Sequence, residues 1–257
     1  MKYHIDTIPV WDAMHLDSEC PLCALRRSTE RLLISRSLGA SVMSPDTRIR
    51  VNDLGFCPQH HQMMHLQPGG NRLGHGLMML SHLQTLRPRV SQALKAGGGQ
   101  GQGGGFSRLF RRQASASVGG GSPLQPLCAG CTVCEELETQ SKRQAASLLH
   151  LWNTEAAFRE AFLASKGLCL PHTELTLAMS GELLSGERLA SYAQAAGQLL
   201  EDSLTRLEEE LAWFTQKFDY RNAQKDWGTS RDALERVVNK LRGWCLGPEP
   251  MQDEQKA

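Results

Sequence analysis

Residues 18–38 read SECPLCALRRSTERLLISRSL, a Cys-x-x-Cys motif followed directly by a charged, helix-forming stretch. The same order recurs at Cys131-Thr-Val-Cys134, which precedes EELETQSKRQAASLLHLW. Pro21 would stand in the first turn of its helix, where the missing N–H of proline costs no hydrogen bond. Both stretches therefore predict a helix that begins at a pair of cysteines.

A Cys-x-x-His motif follows each cysteine pair at nearly the same distance. Cys57-Pro-Gln-His60 begins 34 residues after Cys23, and Cys169-Leu-Pro-His172 begins 35 residues after Cys134. Each motif is preceded by Gly and one apolar residue, in Gly55-Phe56 and Gly167-Leu168. We interpret the pattern as an internal repeat of two helical halves. In each half, we expect the residues between the two motifs to lead away from the cysteine pair and then back to it.

The two motifs of a half together offer three thiolates and one imidazole, a set that suits zinc in tetrahedral coordination. Four protein ligands leave no open position for water, which is typical of a structural site. We therefore expect two zinc ions per chain. An iron–sulfur cluster on the same residues is the alternative. The predicted ligands are Cys20, Cys23, Cys57 and His60 in the first half, and Cys131, Cys134, Cys169 and His172 in the second.

Three residues compete with this assignment or stand outside it. His61 is adjacent to His60, but only His60 keeps the spacing found at His172. Cys128 forms an overlapping Cys-x-x-Cys with Cys131, although the repeat favours Cys134. Cys245 has no partner at motif spacing and is expected to be a small apolar residue.

A thiol-redox function is the main competing interpretation of the cysteine pairs. Cys20-Pro-Leu-Cys23 is similar to the CPxC of glutaredoxin-like sites, which follow a β-strand. Here the preceding segment is short, acidic and interrupted by proline, and dithiol exchange has no use for the Cys-x-x-His motifs. The sequence contains no nucleophile–base set, and GGGQGQGGG at 97–105 lacks the Gly-Lys-Ser/Thr of a phosphate-binding loop. The sequence thus gives no local reason to assign an enzymatic activity, and the question of an enzyme stays open.

Composition narrows the choice of partner and compartment. The net charge of +1 over 257 residues gives no reason to expect a nucleic-acid partner, although zinc motifs often serve nucleic-acid binding. No apolar run approaches the roughly 20 residues that a membrane-spanning helix needs. The first residues, MKYHIDTIPVWDAMHLD, contain no apolar core of a secretory signal. Eight cysteines in a reducing cytoplasm are better suited to metal binding than to disulfides.

Composition and periodicity divide the chain into segments. We predict an all-α helical bundle, in which Pro68-Gly69-Gly70 ends one helix before the next begins. Residues 97–122 are rich in Gly and Ser and include the basic segment FSRLFRR at 106–112. The predicted segments are a first half at 1–95, a flexible linker at 96–126, a second half at 127–180, a C-terminal helical hairpin at 181–245 and a disordered tail at 246–257.

Two helices form the predicted C-terminal hairpin. Apolar residues recur every three or four positions from Gly186 to Phe218, which is typical of the central helix of a bundle or of a homodimer or protein-partner interface. A final helix is expected from a Ser230 N-cap to Gly243. The polar and aromatic residues between the helices are interpreted as a hydrogen-bonded corner; they are Lys217, Asp219, Tyr220, Arg221, Asp226 and Trp227.

Several segments together resemble a bacterial family of unknown function, DUF6062. They are YHIDTIPVWDAM, SECPLCALRR, GFCPQHH, GLCLPH, KFDYRN and DALERVVNKLRG, so the resemblance covers nearly the whole chain outside the Gly-rich segment. Members sometimes carry the label of an ABC transporter substrate-binding protein, a class that needs a signal sequence. The resemblance implies no activity. We expect a cytoplasmic zinc-binding scaffold or interaction module.

Overall fold

The computed structural model describes residues 6–98 and 122–248, and in these ranges the protein is all helical, as predicted. The predicted linker, with its FSRLFRR segment, and the tail lie almost entirely outside the described residues. The α-helices are α1 (Ile8–Met14), α2 (Pro21–Leu38), α3 (Pro45–Leu54), α4 (Pro58–Leu66), α5 (Arg72–Gly98), α6 (Gln125–Cys128), α7 (Thr132–Thr154), α8 (Ala156–Leu163), α9 (Leu170–Leu183), α10 (Gly186–Gln216) and α11 (Ala233–Arg242); short 3₁₀ helices span Ala40–Met43 and Tyr220–Asn222.

The chain forms two compact units. Unit 1 comprises Met1–Thr29 and Leu137–Ala257, and unit 2 comprises Glu30–Glu136. The two segments of unit 1 thus flank unit 2 in the sequence. The repeat, by contrast, predicts two halves that each consist of one continuous segment. Among the described helices, none has the length and apolar character needed to cross a lipid bilayer.

Unit 1 contains a large aromatic and aliphatic core. Trp152, Phe162 and Tyr192 contact one another in this core, and Trp11 packs edge-on against Phe158. The apolar residues of α10 face the same core, with Tyr192 and Ala196 buried. The apolar residues that recur along this helix, which the sequence analysis interpreted as typical of a central bundle helix, therefore pack inside unit 1.

Unit 2 is built around α3, α4 and α5. Its buried apolar residues include Val51, Met64 and Met78. The break predicted at Pro68-Gly69-Gly70 is present, because α4 ends at Leu66 and α5 begins at Arg72. The predicted N-cap of the last helix is wrong by two residues: α11 begins after Asp232, while Gly243 ends it in the left-handed region at φ 82°.

The helices that follow the two cysteine pairs are long: α2 has 18 residues and spans about 27 Å, and α7 has 23 residues and spans about 35 Å. Each of these helices begins in one unit and ends in the other. Each cysteine pair therefore lies in a different unit from the Cys-x-x-His motif that follows it in the sequence.

Candidate metal centre

All eight predicted ligands lie in two groups of four, but the grouping differs from the prediction. Site 1 joins Cys20 and Cys23 to Cys169 and His172, and site 2 joins Cys57 and His60 to Cys131 and Cys134. The predicted pairing of each cysteine pair with the next Cys-x-x-His motif is wrong. The reason is that α2 and α7 each begin in one unit and end in the other, which separates each cysteine pair from the next Cys-x-x-His motif. Site 1 lies within unit 1, and site 2 lies within unit 2.

The four donor atoms of site 1 form a compact set. His172 Nδ1 lies 3.4 Å from the sulfur atoms of Cys20 and Cys23 and 3.2 Å from that of Cys169. The sulfur atoms of Cys23 and Cys169 are 3.5 Å apart. A zinc tetrahedron with bonds of about 2.3 Å to sulfur and 2.0 Å to nitrogen has edges of about 3.8 Å between sulfurs and 3.5 Å between sulfur and nitrogen. The donors of site 1 stand close to these distances.

Site 2 has nearly the same geometry. His60 Nδ1 lies 3.2 Å from the sulfur atoms of Cys57 and Cys131 and 3.5 Å from that of Cys134. The sulfur atoms of Cys57 and Cys134 are 3.8 Å apart. In each site, the donor atoms all lie within 4.8 Å of one another. Both sets are therefore able to hold one metal ion.

Helix N-termini surround both sites. Cys57 and Cys169 are the N-caps of α4 and α9, and α2 and α7 each begin directly after the first cysteine of a pair, Cys20 or Cys131. Gly55 and Gly167 have φ of 62° and 70°, a conformation that lets the chain turn into these caps. Three thiolates around a divalent ion leave a net negative charge, which the positive ends of the helix dipoles offset.

The protonation pattern of site 1 departs strongly from that of free thiols. Burial raises the pKa of Cys20, but hydrogen bonds from Cys169, Cys23 and His172 outweigh burial, so that this pKa lies well below its usual value. The pKa of Cys23 is raised by its hydrogen bonds to Cys169 and Cys20 and by burial. Of these two thiols, Cys20 therefore loses its proton more readily, and the Cys23 thiol keeps its proton.

Site 2 likewise combines one thiol of lowered pKa, Cys131, with one of raised pKa, Cys134. Burial opposes the charge on Cys131, but backbone N–H groups and His60 stabilise it, and the pKa of Cys131 falls to about 7. Burial also lowers the pKa of His60, yet hydrogen bonds to Glu30 and Cys131 outweigh it and raise this pKa to about 9. Burial and the neighbouring Cys131 raise the pKa of Cys134 to about 12.

Glu30 is a site residue that the sequence analysis missed. Its Oε1 lies 3.1 Å from His60 Nε2, and both side chains are buried. With Nδ1 facing the thiols, Nε2–H donates to the carboxylate, an arrangement that fixes the ring orientation of metal-binding histidines. Nothing in the sequence distinguishes Glu30 from other acids on helices, because the contact depends on how α4 packs.

A second missed contact lies at site 1. The backbone N–H of Trp244 donates to the sulfur of Cys23 over 3.3 Å. Such a bond stabilises a thiolate ligand without adding another donor to the ion. It comes from the residue that follows the end of α11, so it depends on the C-terminal helix reaching Cys23.

The competing residues are placed outside the two groups. His61 Nδ1 lies 3.0 Å from His75 Nε2, and the two rings stack. Cys128 and Cys245 are exposed. All eight cysteines are described, and all are free thiols.

The polar corner at the end of α10 is held by Lys217, which is buried. Its Nζ donates to the carbonyl oxygens of Asn222 (2.8 Å), Ala223 (3.1 Å) and Lys225, and it lies 5.1 Å from the centre of the Trp227 ring. Asp219 pairs with Arg221. These contacts lie within the corner itself, in agreement with the structural interpretation of this segment.

The fold and the two donor sets define an all-α protein with paired Cys₃His centres. The chain belongs to the family of unknown function DUF6062, whose family model matches residues 1–247. The resemblance noted in the sequence is thereby confirmed. Comparison with curated proteins and with solved structures gave no match.

Proposed function

We propose that this protein is a zinc-binding helical scaffold or interaction module with two structural Cys₃His sites. The observation that carries the proposal is the convergence of four donors within 4.8 Å in each unit. The cysteine pair and the Cys-x-x-His motif of a site come from distant parts of the sequence. An ion bound by all four donors would therefore hold together two segments that are far apart in the sequence, by 146 residues between Cys23 and Cys169 and by 77 between Cys57 and Cys134.

The donor chemistry favours zinc over an iron–sulfur cluster. The sulfur–sulfur distances of 3.5 and 3.8 Å fit ligands of a single ion. A polynuclear cluster places iron and sulfide atoms between its cysteine ligands and would spread them further apart. Zinc also accepts a mixed set of three thiolates and one imidazole in tetrahedral coordination.

A structural role is favoured over a catalytic one because four protein ligands complete the coordination. Catalytic zinc sites keep one position for water or substrate. At site 1, moreover, all four ligands are buried, with exposed fractions from 0% for Cys169 to 8% for His172. An ion there would have no route to a substrate.

The proposed ligand chemistry favours a reducing compartment, because six of the eight ligands are cysteines. Thiolate ligation needs reduced cysteines, as found in the cytoplasm. We therefore place the protein there, and fractionation of cells that express it tests this location.

Elemental analysis of the purified chain is the decisive experiment. We expect two equivalents of zinc, and we expect loss of helical circular dichroism when a strong chelator removes them, since structural zinc contributes directly to folding. Cys245→Ser is the matched control, because this exposed thiol lies outside both groups and its loss should leave the zinc content unchanged. Fewer than two equivalents of bound metal would contradict the proposal. Iron with visible absorbance would replace zinc with a cluster.

A further inference from the structure

The two donor sets differ in how far they are open to solvent. In site 1, all four side chains are buried. In site 2, His60 and Cys131 are 2% and 3% exposed, but Cys57 is only half-buried and Cys134 is exposed. An ion in site 2 would therefore have one thiolate ligand on the protein surface.

Site 1 is covered by parts of the chain that site 2 lacks. Cys20, Cys23 and Cys169 belong to the aromatic core of unit 1, and Trp244 packs against that core and hydrogen-bonds to Cys23. In site 2, the exposed Cys134 lies in the first turn of α7. An external ligand can approach an ion at site 2 from the Cys134 side, whereas site 1 opens only if the core opens.

Two of the four candidate ligands of site 2 are buried and held in place by their surroundings. His60 is buried and its Nε2 is hydrogen-bonded to the buried Glu30. Cys131 is also buried. Since these two ligands are held in place by their surroundings, the bond that breaks most readily is the one to Cys134.

We propose that site 2 is an exchangeable zinc site, from which a small thiol-bearing chelator takes the ion by attack at the Cys134 side, while site 1 keeps its ion. The inference rests on the proposed function, because it requires that both sites bind zinc. In the first step, the sulfur of the incoming thiol bonds to zinc and the zinc–Cys134 bond breaks. The proton of the incoming thiol passes to the Cys134 sulfur, so charge and atoms balance with no change of oxidation state.

Transfer of zinc from the loaded, full-length chain to a coloured chelator tests the inference. We expect two kinetic phases of one equivalent each, with rates at least tenfold apart, and we expect dithiothreitol to accelerate only the fast phase. Cys134→Ser should abolish the fast phase and leave the slow one. Cys128→Ser is the matched control, because Cys128 is exposed and lies close in sequence but outside the site; both phases should remain.

Alkylation of the zinc-loaded protein gives a second readout that requires no variant to fold. N-ethylmaleimide followed by peptide mass mapping should modify Cys134 well before Cys20, Cys23 and Cys169. The exposed Cys128 and Cys245 report the rate of unhindered thiols. Release of two equivalents in a single phase, or modification of Cys169 as fast as Cys134, would overturn the inference. Fewer than two equivalents at the start would instead contradict the proposed function.

Discussion

The sulfur atoms of Cys23 and Cys169 are 3.5 Å apart although 146 residues separate them in the chain. This contact brings the first Cys-x-x-Cys motif to the second Cys-x-x-His motif. The remaining two motifs meet in the same way, at Cys57 and Cys134. The donor sets are therefore crossed relative to the order of the motifs, and pairs of substitutions can test whether metal binding follows this crossing.

Double variants distinguish crossed from consecutive ligation by metal content. Cys23→Ser combined with Cys169→Ser removes two ligands of one site, so one equivalent of zinc should remain. Cys23→Ser combined with Cys57→Ser removes one ligand from each site, and both equivalents should be weakened or lost. Consecutive ligation predicts the reverse result. Elemental analysis after gel filtration measures the difference.

Cys169→Ser alone should strongly destabilise unit 1. Its side chain is fully buried, and loss of a structural metal belongs to the small class of changes that cost more than about 4 kcal/mol. Thermal unfolding followed by circular dichroism at 222 nm measures the effect. Cys245→Ser serves as control and should unfold within a few degrees of the parent protein. A similar midpoint for both variants would argue against a structural ion at site 1.

Glu30→Leu should lower the zinc affinity of site 2. The substitution removes the acceptor that orients His60, and changes of this kind typically cost about 10–100-fold in metal affinity. Glu30→Gln retains an oxygen that can accept from His60 Nε2 and should cost less. Competition with a chelator of known affinity gives the values. Glu138→Gln is the control, since Glu138 is exposed and pairs with Lys142. Equal affinities for all three variants would remove Glu30 from the site.

Zinc affinity at site 2 should rise with pH between about 6 and 9. In the metal-free protein, the pKa of Cys131 is about 7 and that of His60 is about 9. Both groups must give up a proton to bind the ion, so protonated forms compete with zinc at low pH and the affinity rises as pH passes through these values. The raised pKa of Cys134, about 12, leaves a further proton in competition above pH 9. Calorimetry in buffers of different ionisation enthalpy should show proton release. Affinity that is independent of pH would mean that these groups do not ligate.

Lys217→Met should destabilise the C-terminal corner without changing the metal content. The substitution leaves the carbonyl oxygens of Asn222, Ala223 and Lys225 without their shared donor. Because Asn222 is half-buried and Ala223 and Lys225 are exposed, water can replace the donor, and the loss should be about 1 kcal/mol or less per acceptor. Urea unfolding measures the loss, and elemental analysis should still give two zinc ions. Loss of zinc in this variant would connect the corner to a site.

The local parts of the sites could be predicted because the signals are local. The spacing in Cys57-Pro-Gln-His60 selects His60, and in the structure His61 contacts His75 instead. Pro21 and Pro58 indicate where helices begin, and α2 and α4 begin there. The preference for Cys134 over Cys128 follows from the same spacing. Such predictions need only the spacing within a motif of four residues.

The pairing of the motifs could not be predicted from spacing. It depends on which unit each part of α2 and α7 belongs to, since both helices pass from one unit to the other. A repeat of 34 and 35 residues carries no information about that division. The contact of Glu30 with His60 has the same origin, since tertiary packing alone brings α2 and α4 together there.

Crossed ligation has a consequence for the growing polypeptide on the ribosome. Site 2 is complete in ligands once residue 134 has emerged, whereas Cys20 and Cys23 must wait for Cys169. During this interval, the nearest donors along the chain are Cys57 and His60, and an ion captured by those four would trap the nascent protein in a mispaired state. In the folded chain, Cys20 and Cys23 belong to unit 1, whereas Cys57 and His60 belong to unit 2. We expect formation of the two units before metal capture to limit such mispairing during synthesis.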